Sequence, residues 1–467
     1  MLIGRVAPFL SFTLPRPAIS SFDQKITSIK SQMNFTKPIS KRLLATLLLL
    51  AGIQVNVHAT GPEGQLANSK VNLEKVGLAG ANVLAFGPNN VLFIGDSKNG
   101  IVHAVETKAV ELKDPVPYNL LGIDAKIAEQ LGVEPRQLAF NDMKIHPVSQ
   151  EAYIAVRNGH QPEAKSMIAI ISPMGGKIRF LDLSDTKHTQ VSIKNKVDPE
   201  YYFWNEIPAS TLNITDIDYH NGQIYVAGLT NGEFASNLRI IPYPFNQKQS
   251  SVKGIEIWHA VHTQMETRAP IRTMLFEELD GEPTLIASYT CTPLVTIPAG
   301  EISDGNHIKA KTIAELGFGN APIDMVSFMA QEQDGSFDKK LLVVHKNRGG
   351  TLISFKDLAK ANQGEGMKGF SMGPEGVDIF HVSTGNTMHI DNQNQMMLAN
   401  LKRNMDNGGV DLVSKLKGSY LRLSDFIAEY NFPDYEYSES QMQTKKFHDM
   451  IKPMEGFPNL TSDKKGK

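Results

Sequence analysis

The chain has 467 residues, 41% hydrophobic and 21% charged, with 37 Gly, 25 Pro and a single cysteine. This composition excludes collagen-like, disordered and disulfide-stapled chains, and without a C-x-x-C-H motif it excludes covalently attached c-type haem. The net charge of −2 hides an asymmetry: residues 1–59 hold seven Lys and Arg against one Asp, leaving 40 bases and 48 acids, a net −8, in the remainder. A diffuse negative field is a poor match for nucleic acid or anionic lipid, which demand clustered Lys and Arg.

At the N-terminal end, Lys41 and Arg42 precede the apolar run LLATLLLLAGIQV, and Val57 and Ala59 stand at the two cleavage-reading positions. This is the three-part layout of a secretory signal peptide. The run is about 13 residues, against the roughly 20 that span a bilayer. The sequence therefore predicts a signal over residues 33–59 starting at Met33, an upstream extension over 1–32, and a periplasmic or secreted product with no stable membrane span after cleavage. An uncleaved N-terminal anchor is the alternative.

Beyond this segment the chain repeats itself. Short apolar runs recur at 91–95 (VLFIG), 151–155 (EAYIA), 223–227 (QIYVA), 284–288 (TLIAS), 341–345 (LLVVH) and 395–399 (QMMLA). Aligning Phe93, Tyr153, Tyr225, Ile286, Val343 and Met397 gives intervals of 60, 72, 61, 57 and 54 residues. Most runs are followed by a Gly-, Asn- or Pro-rich turn and a further strand-like run (IVHAV, SMIAIIS, LRIIPY, LVTIP, TLISF). Most are preceded by another apolar segment (NVLAF, NDMKIH, TDIDYH, RTMLF, IDMVSF).

Strand, turn, strand at a period of 50 to 70 residues marks the four-stranded blades of a β-propeller. The fold class predicted is all-β: one propeller of six or seven blades over residues 70–425, with minor helical insertions and a polar C-terminal tail over 426–467. The segment 124–132 (DAKIAEQLG) reads as one amphipathic helix with Asp124 as N-cap and Gly132 as its stop. The blade pattern resembles the YVTN/NHL-type propellers, including those grouped with the large chain of quinoprotein amine dehydrogenases. Trp204 and Trp258 are too few for the tryptophan-docking signature of the pyrroloquinoline quinone propellers.

In a propeller, the loops entering the innermost strands and those joining the second and third strands open on one face around the central channel, where a ligand site is expected. Inner-strand starts place Asn82, Asn141, Asp142, Asp216, Arg272 and Asp324 there. The second-to-third loops supply Asp96, Arg157, Asn158, Cys291, His345, Asn347 and Arg348. Asp142, Asp216 and Asp324, with Asn82, would suit a divalent cation such as calcium. Alternatively each Asp caps its own inner strand or pairs with an Arg of the next blade. Arg157, Arg272 and Arg348 would neutralise those acids or grip an anionic ligand or cofactor.

Three histidines are candidates for catalysis. His345 replaces the small residue found at this place in the other repeats. His259 and His262 form an H-x-x-H pair whose rings point to opposite sides if the strand alternation of 255–262 continues, and meet only if the chain turns at Ala260. Cys291 is either an inert buried thiol or a reactive thiol or soft-metal ligand. Neither an H-E-x-x-H nor a P-loop motif occurs. The function expected is binding of a small molecule or another exported protein on the loop-bearing face. A metal-dependent lactonase-like hydrolase and an accessory chain of a periplasmic redox system are the alternatives.

Overall fold

The computed structural model describes residues 70–417, apart from 160, 162, 204–206, 246–250, 304–306 and 333–334. The proposed extension, signal segment, polar tail and Trp204 lie outside the described residues.

The aligned runs are the second strands of six sheets, each flanked by an inner strand and a third strand. Blade 1 comprises Val83–Phe86, Val91–Asp96, Ile101–Glu106 and, as its outer strand, His188–Ser192. Blade 2 runs through Leu138–Ile145, Ala152–Asn158, Ser166–Ile171 and Ile178–Phe180. Blade 3 is Asp216–His220, Gln223–Leu229, Ser236–Pro242 and Ser251–His259. Blade 4 is Ile271–Leu279, Glu282–Tyr289, Pro293–Pro298 and Lys311–Glu315. Blade 5 is Pro322–Gln331, Phe337–His345, Gly350–Ser354 and Phe380–Val382. Blade 6 is Thr387–Asn392, Met397–Arg403, Val410–Leu416 and the short Asn119–Leu120. Strand alternation buries one side chain of each pair on either face of a blade, so every sheet presents two apolar faces.

Those faces close the ring, and they do so out of chain order. Six hydrophobic clusters each fill one gap between neighbours: blades 1 and 3, 3 and 4, 4 and 5, 5 and 6, 6 and 2, and 2 and 1. Blade 2 therefore sits between blades 1 and 6. After three strands of blade 1 the chain crosses to supply the outer strand of blade 6, builds blade 2, then returns to complete blade 1 with His188–Ser192. The ring is stitched twice, through Leu412 paired with Leu120 in blade 6 and Val102 paired with Val191 in blade 1.

Buried side chains fix both crossings. The Tyr118 hydroxyl donates toward the carbonyls of Gln150 and Ile171 at 2.8 and 2.9 Å and accepts the Ala152 N–H at 2.8 Å, tying the segment before Asn119–Leu120 to blade 2. Arg239, fully buried, donates to the carbonyls of Lys194, Asn195, Asn213 and Leu229, which pins the return from blade 1 onto blade 3. The anticipated helix is Ile123–Leu131, stopped by Gly132 in the left-handed conformation at φ 69°. Its N-cap is Gly122 rather than Asp124: the Asp124 carboxylate, in the first turn, accepts the Val410 N–H of blade 6 at 3.0 Å instead.

Candidate functional site: the axial channel

The inner strands line a channel, and their alternation points every second side chain into it. On blade 2 these are Asp142 and Lys144, on blade 3 Asp216 and Asp218, on blade 5 Asp324, and on blade 6 His389 and Asp391. The narrow waist, lined by Asp142, Lys144, Asp216, Asp324 and His389, holds about 30 Å³ of free space.

Each carboxylate here has the same structural task. One oxygen accepts the N–H of the following residue and the other accepts an N–H from the inner strand of the next blade. Asp142 takes Leu84 at 2.6 Å, Asp216 takes Met274 at 2.6 Å, Asp218 takes Phe276 at 2.7 Å, Asp324 takes Ile390 at 3.1 Å and Asp391 takes Ile145 at 2.7 Å. All run in one rotational sense, joining blade 2 to 1, 3 to 4, 5 to 6 and 6 to 2. Blades 1 and 4 carry Val83 and Thr273 opposite Gly95 and Ser288, where blades 2 and 3 carry Asp142 and Asp216 opposite Ala155 and Ala227. Their junctions use other groups: Ser97 Oγ donates to the Ser210 and Thr211 carbonyls, and Ser327 Oγ to Glu277.

Lys144 stands among these acids, its Nζ 3.7 Å from Asp324 Oδ1. His389 Nδ1, buried, lies 3.6 Å from Asp142 Oδ1 and 3.7 Å from Asp324 Oδ2. Burial drives Asp142 and Asp216 above the ordinary carboxylate range, and Asp218 and Asp391 up to about 6. Asp324 is subject to the same burial, but Lys144 and His389 together hold it below that range. The Lys144 ammonium is pushed well above its ordinary value: burial opposes its charge, and Asp324 and Asp142 outweigh that cost.

A cation at the waist would meet Asp142, Asp324 and His389, whose donor atoms lie within 4.8 Å of one another. Each carboxylate oxygen there already accepts a backbone N–H, and Lys144 brings positive charge to the same acids. Asn82 turns its Oδ1 to the Ser97 N–H at 3.1 Å. These residues fit a self-neutralised latch better than a calcium shell of six to eight oxygens.

The channel widens on both sides of the waist, and the two mouths differ in charge. The mouth at the inner-strand starts has a volume of 590 Å³ and is lined by Arg272, Lys346 and Arg403 together with Asn82, Asn141, Asn386 and His389, with no Asp or Glu among the described residues of its wall. The opposite mouth, 450 Å³, carries Asp216, Asp218, Asp391 and Lys144.

Of the residues singled out in the sequence, Asn82, Asn141, Asp142, Asp216, Arg272 and Asp324 line this channel. Arg157 instead turns back to the Gly159 carbonyl at 2.9 Å, and Arg348 lies beside Gly317. His345 is buried in its blade, paired with Thr351 Oγ1 at 2.9 Å, and burial lowers it to about 4. His259 and His262 do not continue as a strand: the chain turns at Ala260 through Thr263 (φ 53°) and returns as Gln264–Glu266, which brings the two ring centroids 4.0 Å apart with their planes tilted by 53°. Lys144, Asp218, His389 and Asp391 were missed. Their signal was the two-residue spacing of D-M-K, D-I-D and H-I-D within the inner strands.

No protein-family model and no curated relative matches the chain. Among solved structures it is similar to dihydro-heme d1 dehydrogenase NirN in complex with DHE, at 10% identity and a TM-score of 0.26, over 72% of this chain and 57% of that one. It is also similar to YCF48 bound to D1 peptide, at 8% identity and a TM-score of 0.28, over 70% and 77% of the two chains. The chain thus spans little more than half of NirN. Likenesses at this level have no bearing on what the channel binds. The protein is a six-bladed β-propeller, and its resemblance to the YVTN/NHL group rests on the blade pattern alone.

Proposed function

We propose that this protein is an exported binding propeller whose positively lined channel mouth holds a small anionic molecule bearing carboxylate or phosphate groups. The observation that carries this reading is the 590 Å³ mouth with Arg272, Lys346 and Arg403 in its wall and no carboxylate among the described residues that line it. Guanidinium groups match carboxylate and phosphate oxygens in pairs, and the asparagine amides supply neutral donors beside them. The net −8 of residues 60–467 makes a local cluster of cations a selective feature rather than part of a basic background. Below the mouth, the braced aspartates and Lys144 close the floor and keep the wall rigid, which lowers the ordering cost of binding. The leader over residues 33–59 supports export.

A thermal-shift and calorimetric screen of small carboxylates and phosphates against the purified protein tests this. At least one should bind at the mouth, and the triple variant Arg272→Ala, Lys346→Ala, Arg403→Ala should weaken it about 100-fold or more while leaving the fold intact. Binding that survives the triple variant would rule the mouth out. Sequencing the N-terminus of the protein recovered from its native host reports on export: a start just after Ala59 is expected, and a retained leader in the soluble product contradicts it.

A further inference from the structure

On the same face as the positive mouth, but out at the edge between blades 3 and 4, lies a second group of reactive side chains. His259 ends the outer strand of blade 3 and His262 sits in the turn that follows, its N–H donating to the His259 carbonyl at 3.2 Å. Cys291 occupies the turn between the second and third strands of blade 4. Sequence separation is bridged by the ring itself, because blades 3 and 4 are neighbours and both turns point to one face.

One donor atom from each of His259, His262 and Cys291 lies within 4.8 Å of the others. His259 is 1% exposed, and neither of its ring nitrogens has a hydrogen-bond partner. A buried imidazole with both nitrogens unsatisfied is costly, and such a group calls for a partner. The Cys291 thiol is half-buried and accepts a long 3.9 Å contact from Thr292 Oγ1. His262 is exposed, so its ring can close on an ion that enters from solvent.

The hairpin carrying the histidines is anchored on its other side. Trp258 Nε1 donates to the Gly369 carbonyl at 3.1 Å, and the Ala260 carbonyl accepts the Ser371 N–H at 3.3 Å. The backbone on either side of His259 is therefore held, while the exposed His262 side chain is free to adjust.

We propose that His259, His262 and Cys291 form a transition-metal site for a borderline ion of the Zn²⁺ type, with a fourth position open to solvent. Two neutral imidazoles and a thiolate are the donor set such an ion prefers, and they reject Ca²⁺ and Mg²⁺, which require oxygen. In a formed tetrahedral site, neighbouring donors stand roughly 3.3–3.8 Å apart, so closure asks for about an ångström of movement, which His262 can supply. On binding, the Cys291 S–H bond breaks, its proton passes to solvent and the sulfur lone pair bonds the ion, with no change of oxidation state.

The test uses full-length protein stripped with a chelator and titrated with Zn²⁺ against a chromophoric competitor, then with Co²⁺ as an optical stand-in. One Zn²⁺ per chain is expected, and the Co²⁺ form should show thiolate-to-cobalt charge-transfer absorption. Cys291→Ser should abolish that band, and His262→Ala, on an exposed residue that the fold does not need, should weaken Zn²⁺ about 100-fold. Zn²⁺ should also slow alkylation of Cys291 in the unmutated protein, a readout that survives should Cys291→Ser not fold. Absence of the charge-transfer band, unchanged affinity in His262→Ala, or alkylation indifferent to Zn²⁺ would each overturn the site.

Discussion

Lys144→Met removes the cation that faces Asp324 and Asp142 at the channel waist while keeping the length of the side chain. At 3.7 Å and an effective dielectric of about 20, the Lys144–Asp324 attraction is about 4–5 kcal/mol before desolvation is subtracted. Breaking one partner of a buried pair costs about 3–5 kcal/mol, because the remaining charge is left uncompensated. Lys144 keeps some access to solvent along the channel, which brings the expected loss at pH 8 down to about 2–3 kcal/mol. The sign of the pH dependence follows from the acids. Without Lys144, burial is opposed by less positive charge, so Asp324 rises above its unfolded value and Asp142 rises further. As pH falls, both take up protons in the folded state that the unfolded chain does not yet bind, so the variant regains stability relative to the parent. Urea unfolding of both proteins at pH 8 and pH 5 should show the loss shrinking to about 1 kcal/mol at the lower pH. An equal loss at both pH values, or one below about 0.5 kcal/mol at pH 8, would mean that Lys144 behaves as a solvated surface charge.

Arg239→Lys should destabilise by about 3 kcal/mol despite conserving charge, since an ammonium cannot reach the four carbonyls that the planar fork serves and some are left buried and unpaired. Hydrogen exchange localises the defect: residues 194–195, 213 and 229 should lose protection together, and a merely uniform loss would contradict the pinning role. Asp218 and Asp391 stand at about 6 in the fold, above the roughly 3.9 of an exposed Asp. Between those values the native state binds the extra protons, so stability falls as pH rises from about 4 to 6 and stays lower above. Asp218→Asn removes one such proton, and the difference in unfolding free energy between pH 4.5 and pH 8 should narrow by about 1–2 kcal/mol. An unaltered difference would show that Asp218 titrates as an ordinary surface carboxylate.

The blades were legible because their signal is local. A strand buried on both faces needs an apolar run, and Gly- and Asn-rich turns mark its ends, so VLFIG and QIYVA announced second strands at nearly their observed bounds, and LLVVH the C-terminal part of Phe337–His345. The order of the blades in the ring was not legible. Asn119–Leu120 is two residues long and His188–Ser192 is largely exposed, so neither carries an apolar pattern, and their pairing depends on partners far along the chain. At the axis, Asp142, Asp216 and Asp324 stood out as equivalent acids. Their chemistry depends on Lys144, Asp391 and His389, which come from other places in the repeat and meet only through closure. The H-x-x-H pair shows the same limit: alternation over 255–262 favoured a continuing strand, and the turn at Ala260 is held by contacts to Gly369 and Ser371 that no nearby residue foretells.

The double stitching has a consequence for how the chain is made. As residues emerge in order, the first three strands of blade 1 form with the outward edge of Ile101–Glu106 bare, and it stays bare until the whole of blade 2 has been synthesised. Asn119–Leu120 waits longer, since the edge it completes belongs to the last blade. An unpaired edge is a template for joining other chains, so a nascent chain that folds as it emerges is exposed to mispairing there until His188–Ser192 arrives. A translocating chain held extended until its last blade arrives would avoid that hazard.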